Sequence, residues 1–237
     1  MLEEELNKKI TTSFESLSVA ADEELITLEA KLIKAIEDND AVTTSILLVD
    51  GLNPDYIYTK YNDVETTPLH EAIAKGHEKI IKILIDTDSN VIKEESLFIA
   101  LNTDREIFSR SILSILLKNK AKISADLVQT LKVQKHIHYL AIEAVNCNRL
   151  DILSVLLKAR VSLDFQINDY LDLMTSPLDR AIALNLVNYA KFLLKEAKVN
   201  PNTPINGFSY LLQAIDQKKF DLVSVLMHYG ATFYERN

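Results

Sequence analysis

A catalytic or metal-binding site needs reactive side chains close together, and this chain offers few candidates. Cys147 is its single cysteine, and the nearest histidines along the chain are His136 and His138, which we expect in a loop. A nucleophilic cysteine needs a base within hydrogen-bond reach and a third group that orients that base. Nothing near Cys147 in the sequence supplies this arrangement. We therefore interpret it as an ordinary cysteine between helices.

The remaining candidates for chemistry are equally isolated. His136 and His138 place two imidazoles close together, but no Cys, Asp or Glu at zinc-like spacing completes a ligand set. Acidic pairs such as Glu94-Glu95 are typical of solvated helix faces, whereas general acid–base work needs two carboxylates in one cleft. The chain has four glycines and no Gly-rich phosphate loop. The sequence therefore predicts no catalytic residues, no metal and no cofactor.

The composition favours helices and argues against several classes of partner. Apolar residues make up 48% of the 237 residues and charged residues 25%, as is usual for a globular chain. Four glycines, five prolines and no tryptophan are too few turn formers for a sandwich or barrel. The 34 acidic residues outnumber the 26 basic ones, and the net charge of −8 disfavours nucleic acid and anionic membranes. We expect an all-α fold without membrane insertion, because no apolar run approaches a membrane span.

One segment carries a helix–turn–helix pattern that can be explained residue by residue. Thr67 can cap a helix that starts at Pro68, where a missing N–H is not needed. Ala72 is small enough to let an adjacent helix approach closely, and Gly76-His77 can form the turn to a second helix. The apolar stripes of the two helices are Leu69, Ala72 and Ile73 for the first, and Ile80, Ile81, Leu84 and Ile85 for the second.

The same pattern recurs along the chain. Each copy has a small residue in its first helix and an apolar pair in its second. The small residues are Ala35, Ala72, Ala100, Ala144, Ala181 and Ala214. The longest interval, from Ala100 to Ala144, is 44 residues. It predicts an insertion with an extra helical turn at Ser124–His136.

These motifs resemble the ankyrin repeat, whose period is about 33 residues. The resemblance covers about residues 30–234. It implies an all-α ankyrin-repeat solenoid of about six stacked helix-turn-helix repeats over residues 30–237, with an N-terminal helical cap over residues 1–29. The repeats are expected to start near residues 30, 67, 95, 139, 176 and 209. His70 and His77 match the family's histidines that tie loops together through backbone hydrogen bonds.

The resemblance also implies a protein-binding module without catalytic activity. In this family, partners are held on a concave face by finger loops and by exposed positions of the first helices. The candidate finger residues are Tyr56, Tyr58, Tyr61, Phe208 and Tyr210. The candidate helix positions, each just before a small alanine, are Glu71, Glu143, Arg180 and Gln213. The alternative for the aromatic residues is that they pack against the neighbouring loop.

The composition, rich in Lys, Ile and Asn, resembles that of ankyrin effectors which intracellular bacteria deliver into host cells. The partner would then be a host cytosolic protein, bound by a monomer of this chain. The single cysteine and the acidic start, Met1–Glu5, predict a cytoplasmic protein or one delivered without a secretory signal peptide. A regulatory or inhibitory subunit of an enzyme is the main alternative, and an enzyme with an unrecognised site is a weaker one. Residues 1–28 are open to two interpretations, a structural cap or a delivery signal.

Overall fold

The computed structural model describes residues 27–60, 64–103, 109–131, 134–168 and 173–233. The chain divides into two compact units, unit 1 over residues 1–91 and unit 2 over residues 92–237. Both are built from helix pairs, so the all-α class is confirmed. Of the predicted cap, residues 1–26 lie outside the described parts, and residues 27–29 form the start of the first described helix.

The described part of unit 1 contains two helix pairs separated by a short hairpin. Its helices are α1, helical over residues 27–37, α2 (Ala41–Val49), α3 (Pro68–Lys75) and α4 (Glu78–Thr87). The hairpin strands β1 (Tyr58–Thr59) and β2 (Glu65–Thr66) are antiparallel, with Tyr58 opposite Thr66. Helix α4 packs against both α2 and α3, and a 3-10 turn at Ser89–Val91 follows it.

Within its described residues, unit 2 contains four helix pairs and one additional helix. The pairs are α5 (Glu94–Asn102) with α6 (Arg110–Lys118), α8 (Gln134–Asn146) with α9 (Leu150–Lys158), α10 (Pro177–Ala183) with α11 (Val187–Lys195), and α12 (Tyr210–Asp216) with α13 (Phe220–His228). The additional helix, α7 (Ala125–Thr130), packs against α9 and is the predicted insertion. Strands β3 (Ile167–Asn168) and β4 (Met174–Thr175) form a second antiparallel hairpin. The first helices pack in series, α8 against α10 and α10 against α12.

Side-chain caps start several of the first helices, and the cap at Thr67 is the one that the sequence predicts. The Thr67 hydroxyl accepts a hydrogen bond from the His70 N–H at 3.2 Å, and the Ser176 hydroxyl accepts one from the Asp179 N–H at 3.0 Å. Each is followed by a proline at the first helical position. Gly76 ends α3 with a φ of 76°, a left-handed conformation that glycine adopts without strain.

The small alanines lie where neighbouring helices come close. All six are buried, and none is more than 5% exposed. A larger side chain at these positions would force the helices apart, since protein interiors are already close-packed. The alanine pattern therefore sets how closely the repeats of each unit approach one another.

Helix α8 begins earlier than expected. It starts at Gln134, so His136 and His138 lie on a helix and not in a loop. Ile137 is buried and continues the apolar face that Leu140 and Ala144 extend at three- and four-residue spacing. His136 is also buried, and its Nδ1 lies 3.1 Å from the Leu101 carbonyl oxygen.

None of the helices in the described parts of the chain is long and apolar enough to cross a membrane.

Candidate partner-binding groove

Several of the predicted site residues line a groove in unit 1. It lies between α1, the hairpin and α3, and its volume is 810 Å³. Its walls include Lys34 and Glu37 from α1, Tyr58 and Lys60 from the hairpin region, and Glu71 from α3. The groove therefore joins the loop and helix positions that the repeat pattern predicts to face a partner.

Tyr56 and Tyr58 form one side of the groove and are both half-buried. Their ring centroids are 5.8 Å apart with the planes tilted by 42°. The Tyr56 hydroxyl donates a hydrogen bond to the Glu29 carbonyl oxygen at 2.8 Å, which holds the loop against α1. Tyr56 thus has a structural contact within unit 1. Tyr61 lies outside the described residues.

The Tyr58 hydroxyl is the unusual polar group of the groove. It is buried and has no hydrogen-bond partner among the described residues. Burial raises its pKa, and the nearby Glu71 and Glu37 carboxylates raise it further. The phenol therefore stays protonated near neutral pH and keeps a hydrogen-bond donor that nothing in the described chain accepts.

Glu71 and Glu143 are not exposed, contrary to the prediction. Glu71 is 3% exposed and pairs with Lys60 and with Lys75, whose Nζ lies 3.6 Å from Glu71 Oε1. Glu143 is 7% exposed, and its Oε1 lies 3.7 Å from Arg110 Nη2. A buried carboxylate needs such partners because desolvation penalises its charge. Both side chains are therefore already engaged within the chain.

Arg180 and Gln213 are half-buried and connect successive first helices. Arg180 Nε donates to Asn146 Oδ1 at 2.9 Å, joining α10 to α8. Gln213 Nε2 donates to Asp179 Oδ1 at 2.8 Å, joining α12 to α10. Each pair is separated by 34 residues, close to the repeat period. That matching separation was the signal in the sequence that could have predicted these bonds.

Phe208 and Tyr210 behave differently from each other. Tyr210 is only 1% exposed, and its hydroxyl lies 2.8 Å from Ser176 Oγ, so its prediction as a surface contact is wrong. The cause is its position at the first turn of α12, which faces α10. Phe208 is 52% exposed and lines a small groove of 210 Å³ that Asp179 and Gln213 also line.

The residues considered for chemistry have structural contacts. Cys147 Sγ lies 3.5 Å from the Ser114 hydroxyl oxygen. His77 precedes α4 and hydrogen-bonds the backbone of Glu37, and burial lowers its pKa. Within the described residues, no group of three or more His, Cys, Asp or Glu side chains could hold a metal ion.

Comparisons with known proteins identify the repeat. Residues 65–94 match the family model of the ankyrin repeat. Among solved structures, the human ASB11 ankyrin repeat domain is 24% identical, with 87% of this chain and 86% of that chain covered and a TM-score of 0.40. The ankyrin repeat domain of Bcl-3, a member of the IkappaB family, is 18% identical, with 85% and 86% covered and a TM-score of 0.46. The ankyrin repeat protein EF0377 is 22% identical, with 84% and 98% covered and a TM-score of 0.39. No curated protein matches the chain.

Proposed function

We propose that this chain, which is an ankyrin-repeat protein, is a non-catalytic module that binds a protein partner in the groove of unit 1. The observation that carries this proposal is the Tyr58 hydroxyl on the wall of an open groove, a buried donor that has no partner among the described residues. Leaving a buried polar group unsatisfied costs about 1–3 kcal/mol. A partner that supplies an acceptor would remove this cost. Binding to this groove would therefore be more favourable than binding to a surface whose polar groups are already hydrogen-bonded.

The other groove residues specify a peptide-like partner with charges of both signs. Lys34 is exposed over 74% of its side chain and, among the described residues, forms an ion pair with Asp38 on its own helix at 3.0 Å. Glu37 lies close by on the same wall. A partner segment can meet both charges and place a backbone carbonyl against Tyr58. The bonds of Tyr56 and Glu71 hold the walls in place, which reduces the conformational entropy lost on binding.

Phe208 is a second contact within this proposal. It is an exposed aromatic side chain beside a groove of unit 2. Aromatic residues that are anchored at one edge and open to solvent are frequent sources of binding energy. Of the predicted contacts, we retain Tyr58 and Phe208, and we assign Glu71, Glu143 and Tyr210 to the stability of the fold.

The finer part of the proposal concerns the partner. The composition, rich in Lys, Ile and Asn and poor in Gly and Trp, favours a host protein bound by a bacterial effector. A regulatory or inhibitory subunit would use the same groove to block another protein. An activity assay on the captured partner separates the two roles, because only an inhibitor lowers the partner's turnover.

The test begins with affinity capture from eukaryotic cytosol and a comparison of two charge reversals. Lys34→Glu changes the groove, whereas Lys82→Glu changes an exposed position of α4 outside it. We expect a partner that wild type and Lys82→Glu retain and that Lys34→Glu loses. Retention by both variants would move the site away from this groove, and the failure of wild type to retain any protein would contradict the binding function.

Purified partner then allows a sharper comparison of two tyrosines. Tyr58→Phe removes a hydroxyl that has no hydrogen bond to the described residues, so we expect unchanged or slightly higher stability and about tenfold weaker binding. Tyr56→Phe removes the bond to the Glu29 carbonyl and should lower stability by about 1 kcal/mol. Equal affinity of wild type and Tyr58→Phe would contradict the role of the free donor.

A further inference from the structure

The small groove of unit 2 is rich in hydrogen-bond acceptors, and we call it the acceptor groove. Its volume is 210 Å³, and its walls include Asp179 of α10, Asn206 and Phe208 of the loop before α12, and Gln213 and Asp216 of α12. Pockets for drug-sized ligands usually measure about 300–1,000 Å³. The acceptor groove therefore has room for a single side chain of a partner.

The Gln213 amide brings an unused acceptor to this groove. Its Nε2 donates to Asp179 Oδ1 at 2.8 Å, and the other oxygen of that carboxylate accepts a hydrogen bond from the Thr175 hydroxyl at 3.1 Å. Because a carboxylate offers only acceptors, the NH2 of Gln213 must face Asp179 and its Oε1 is turned away. This Oε1 is buried and has no hydrogen-bond partner among the described residues. A ligand that donates to it would remove the cost of that unsatisfied group.

The charge of the acceptor groove favours a cationic donor. Asp179 is half-buried, and Asp216 is exposed three residues after Gln213, so the side chains of these two α12 residues are neighbours on one helix face. Among the described residues that line the groove, two are acidic and none is basic. Arg180 and Lys219 are engaged elsewhere, with a side chain of α8 and with two carbonyl oxygens at the end of α10, respectively. The two carboxylates therefore attract a positive charge from a ligand.

The loop that carries Phe208 is held in one conformation. Ile205 and Phe208 exchange two backbone hydrogen bonds, at 2.9 and 2.8 Å. The turn between them is Asn206-Gly207, with φ values of 50° and 81°, and Asn-Gly is favoured where both central residues need a positive φ. The Asn206 side chain also accepts a hydrogen bond from the Met174 N–H at 3.0 Å and donates one to the Met174 carbonyl oxygen at 2.8 Å. The groove wall is thus formed before binding, which reduces the entropy lost with a ligand.

The guanidinium group of arginine matches these features together. It is a planar cation with five N–H donors, so it can bond Gln213 Oε1 and the Asp216 carboxylate at once. Its face also stacks on aromatic rings, and Phe208 offers such a ring with 52% of its surface exposed. An ammonium group is more strongly hydrated and lacks the planar shape. An anionic ligand would be repelled by the two carboxylates.

We propose that the acceptor groove binds an arginine side chain of the partner protein, with its guanidinium group bonded to Gln213 Oε1 and Asp216 and stacked on Phe208. The proposal rests on the proposed function, in which Phe208 is a second contact, and it names the side chain that this contact takes. A short peptide can test it without the groove of unit 1.

NMR titration of the isotopically labelled full chain with acetyl-Gly-Arg-Gly-amide locates the site. We expect binding in the millimolar range, with the largest shifts at the Phe208 N–H and the Gln213 side-chain NH2. The peptide with citrulline, an uncharged analogue of arginine, should bind about tenfold more weakly, and the peptide with lysine about threefold more weakly. Shifts confined to other residues, or equal affinity for arginine and either of the other peptides, would overturn the proposal.

Two substitutions with matched controls separate the charge from the ring. Asp216→Asn should weaken arginine binding about fivefold, and Phe208→Leu about threefold because it keeps an apolar side chain but removes the aromatic face. The controls are Asp126→Asn on α7 and Phe220→Leu on α13, at exposed positions outside the groove, and they should leave the affinity unchanged. Thermal unfolding confirms that each variant is folded. Groove variants that bind arginine as well as the controls do would show that the assignment is wrong.

These outcomes differ from those of the capture experiment. A wild type that binds the arginine peptide in the acceptor groove but captures no protein would contradict the proposed function and leave the arginine site standing. A wild type that captures a partner through the groove of unit 1 but does not bind the peptide would overturn the arginine site alone.

Discussion

At the scale of single residues, polar side chains predicted to face a partner are instead bonded within the chain. Glu71 pairs with Lys60 and Lys75, and Tyr210 pairs with Ser176. Residue type and repeat position predict which helix face a side chain occupies. They do not reveal a lysine eleven residues upstream that folds back over a carboxylate, as Lys60 does over Glu71.

Tyr210→Phe tests the structural assignment of Tyr210. The substitution removes a buried hydrogen bond to Ser176 Oγ, so we expect a loss of about 1–2 kcal/mol in the free energy of unfolding. Partner affinity should stay unchanged because the ring is buried. Urea unfolding provides the measurement, and Phe208→Ala is the control, with a change below about 0.5 kcal/mol. A Tyr210→Phe variant that is as stable as wild type but binds the partner more weakly would show that Tyr210 contacts the partner.

The histidine His77 should make stability depend on pH. Burial lowers its pKa, Lys75 lowers it further, and the hydrogen bond with the Glu37 backbone opposes the shift. The folded state therefore binds the proton less tightly than the unfolded state, whose histidine pKa is about 6.5. The stability present above that value is lost as the pH falls through the folded-state pKa.

We expect the free energy of unfolding to fall as the pH is lowered from about 7.5 to about 5, and His77→Gln to reduce this fall. Burial also lowers the pKa of His138, which stacks on Phe165 with ring centroids 4.0 Å apart, so some of the dependence should remain. Unfolding curves at each pH provide the measurement. Equal slopes for wild type and His77→Gln would contradict the assignment.

At the scale of elements, the residue that precedes the second helix connects some repeats to the one before, as at α9 and α13. Arg149 precedes α9 and donates to the Leu117 and Ala121 carbonyl oxygens at 2.9 and 2.8 Å. Lys219 precedes α13 and donates to the Ala183 carbonyl oxygen at 2.8 Å. His77 holds the corresponding place before α4. Three different donors thus satisfy carbonyl groups at the ends of preceding helices, which otherwise have no intrahelical partner.

Arg149→Lys should show that this connection depends on the shape of the guanidinium group. Lysine keeps the charge but cannot direct two nitrogens at two carbonyls, so we expect a loss of about 1–2 kcal/mol in unfolding free energy. The control is Asp151→Asn, which removes the exposed partner of Arg149 and should cost less than about 0.5 kcal/mol. Thermal and urea unfolding measure both. Equal losses would mean that the ion pair, and not the carbonyl bonds, carries the stabilisation.

The sequence predicts the helix pairs better than it predicts their connections. Thr67-Pro68 and Ser176-Pro177 each indicate where a helix begins, because capping and the fixed backbone angle of proline depend only on nearby residues. The start of α8 was missed because no such residue marks Gln134, and only the buried Ile137 extends the apolar face. The groove itself could not be predicted in detail, since the free Tyr58 donor depends on how the hairpin closes over α1 and α3.

At the scale of the whole molecule, stability should be distributed along each stack of repeats. In a repeat protein each helix pair contacts mainly its neighbours, so the total is approximately a sum of repeat and interface contributions. Unit 2 follows this scheme, with α8 packed on α10 and α10 on α12. Local unfolding of an inner helix pair breaks its interfaces with the pairs on both sides. Local unfolding of the last described pair breaks its interface with the one pair before it.

Two buried leucines, one from an inner pair and one from the last described pair, test this difference. Leu153 on α9 and Leu226 on α13 are both fully buried, and replacing either by alanine should cost about 2–5 kcal/mol locally. Leu226→Ala should raise amide hydrogen exchange mainly in α12 and α13, because the end of the stack can open alone. Leu153→Ala should raise it in α8 and α9 and in the helices on both sides, because an inner pair cannot open without losing its neighbours. Exchange rising equally throughout unit 2 for both variants would show that the unit unfolds as one cooperative block, and the stack would then lack the nearest-neighbour behaviour that its contacts predict.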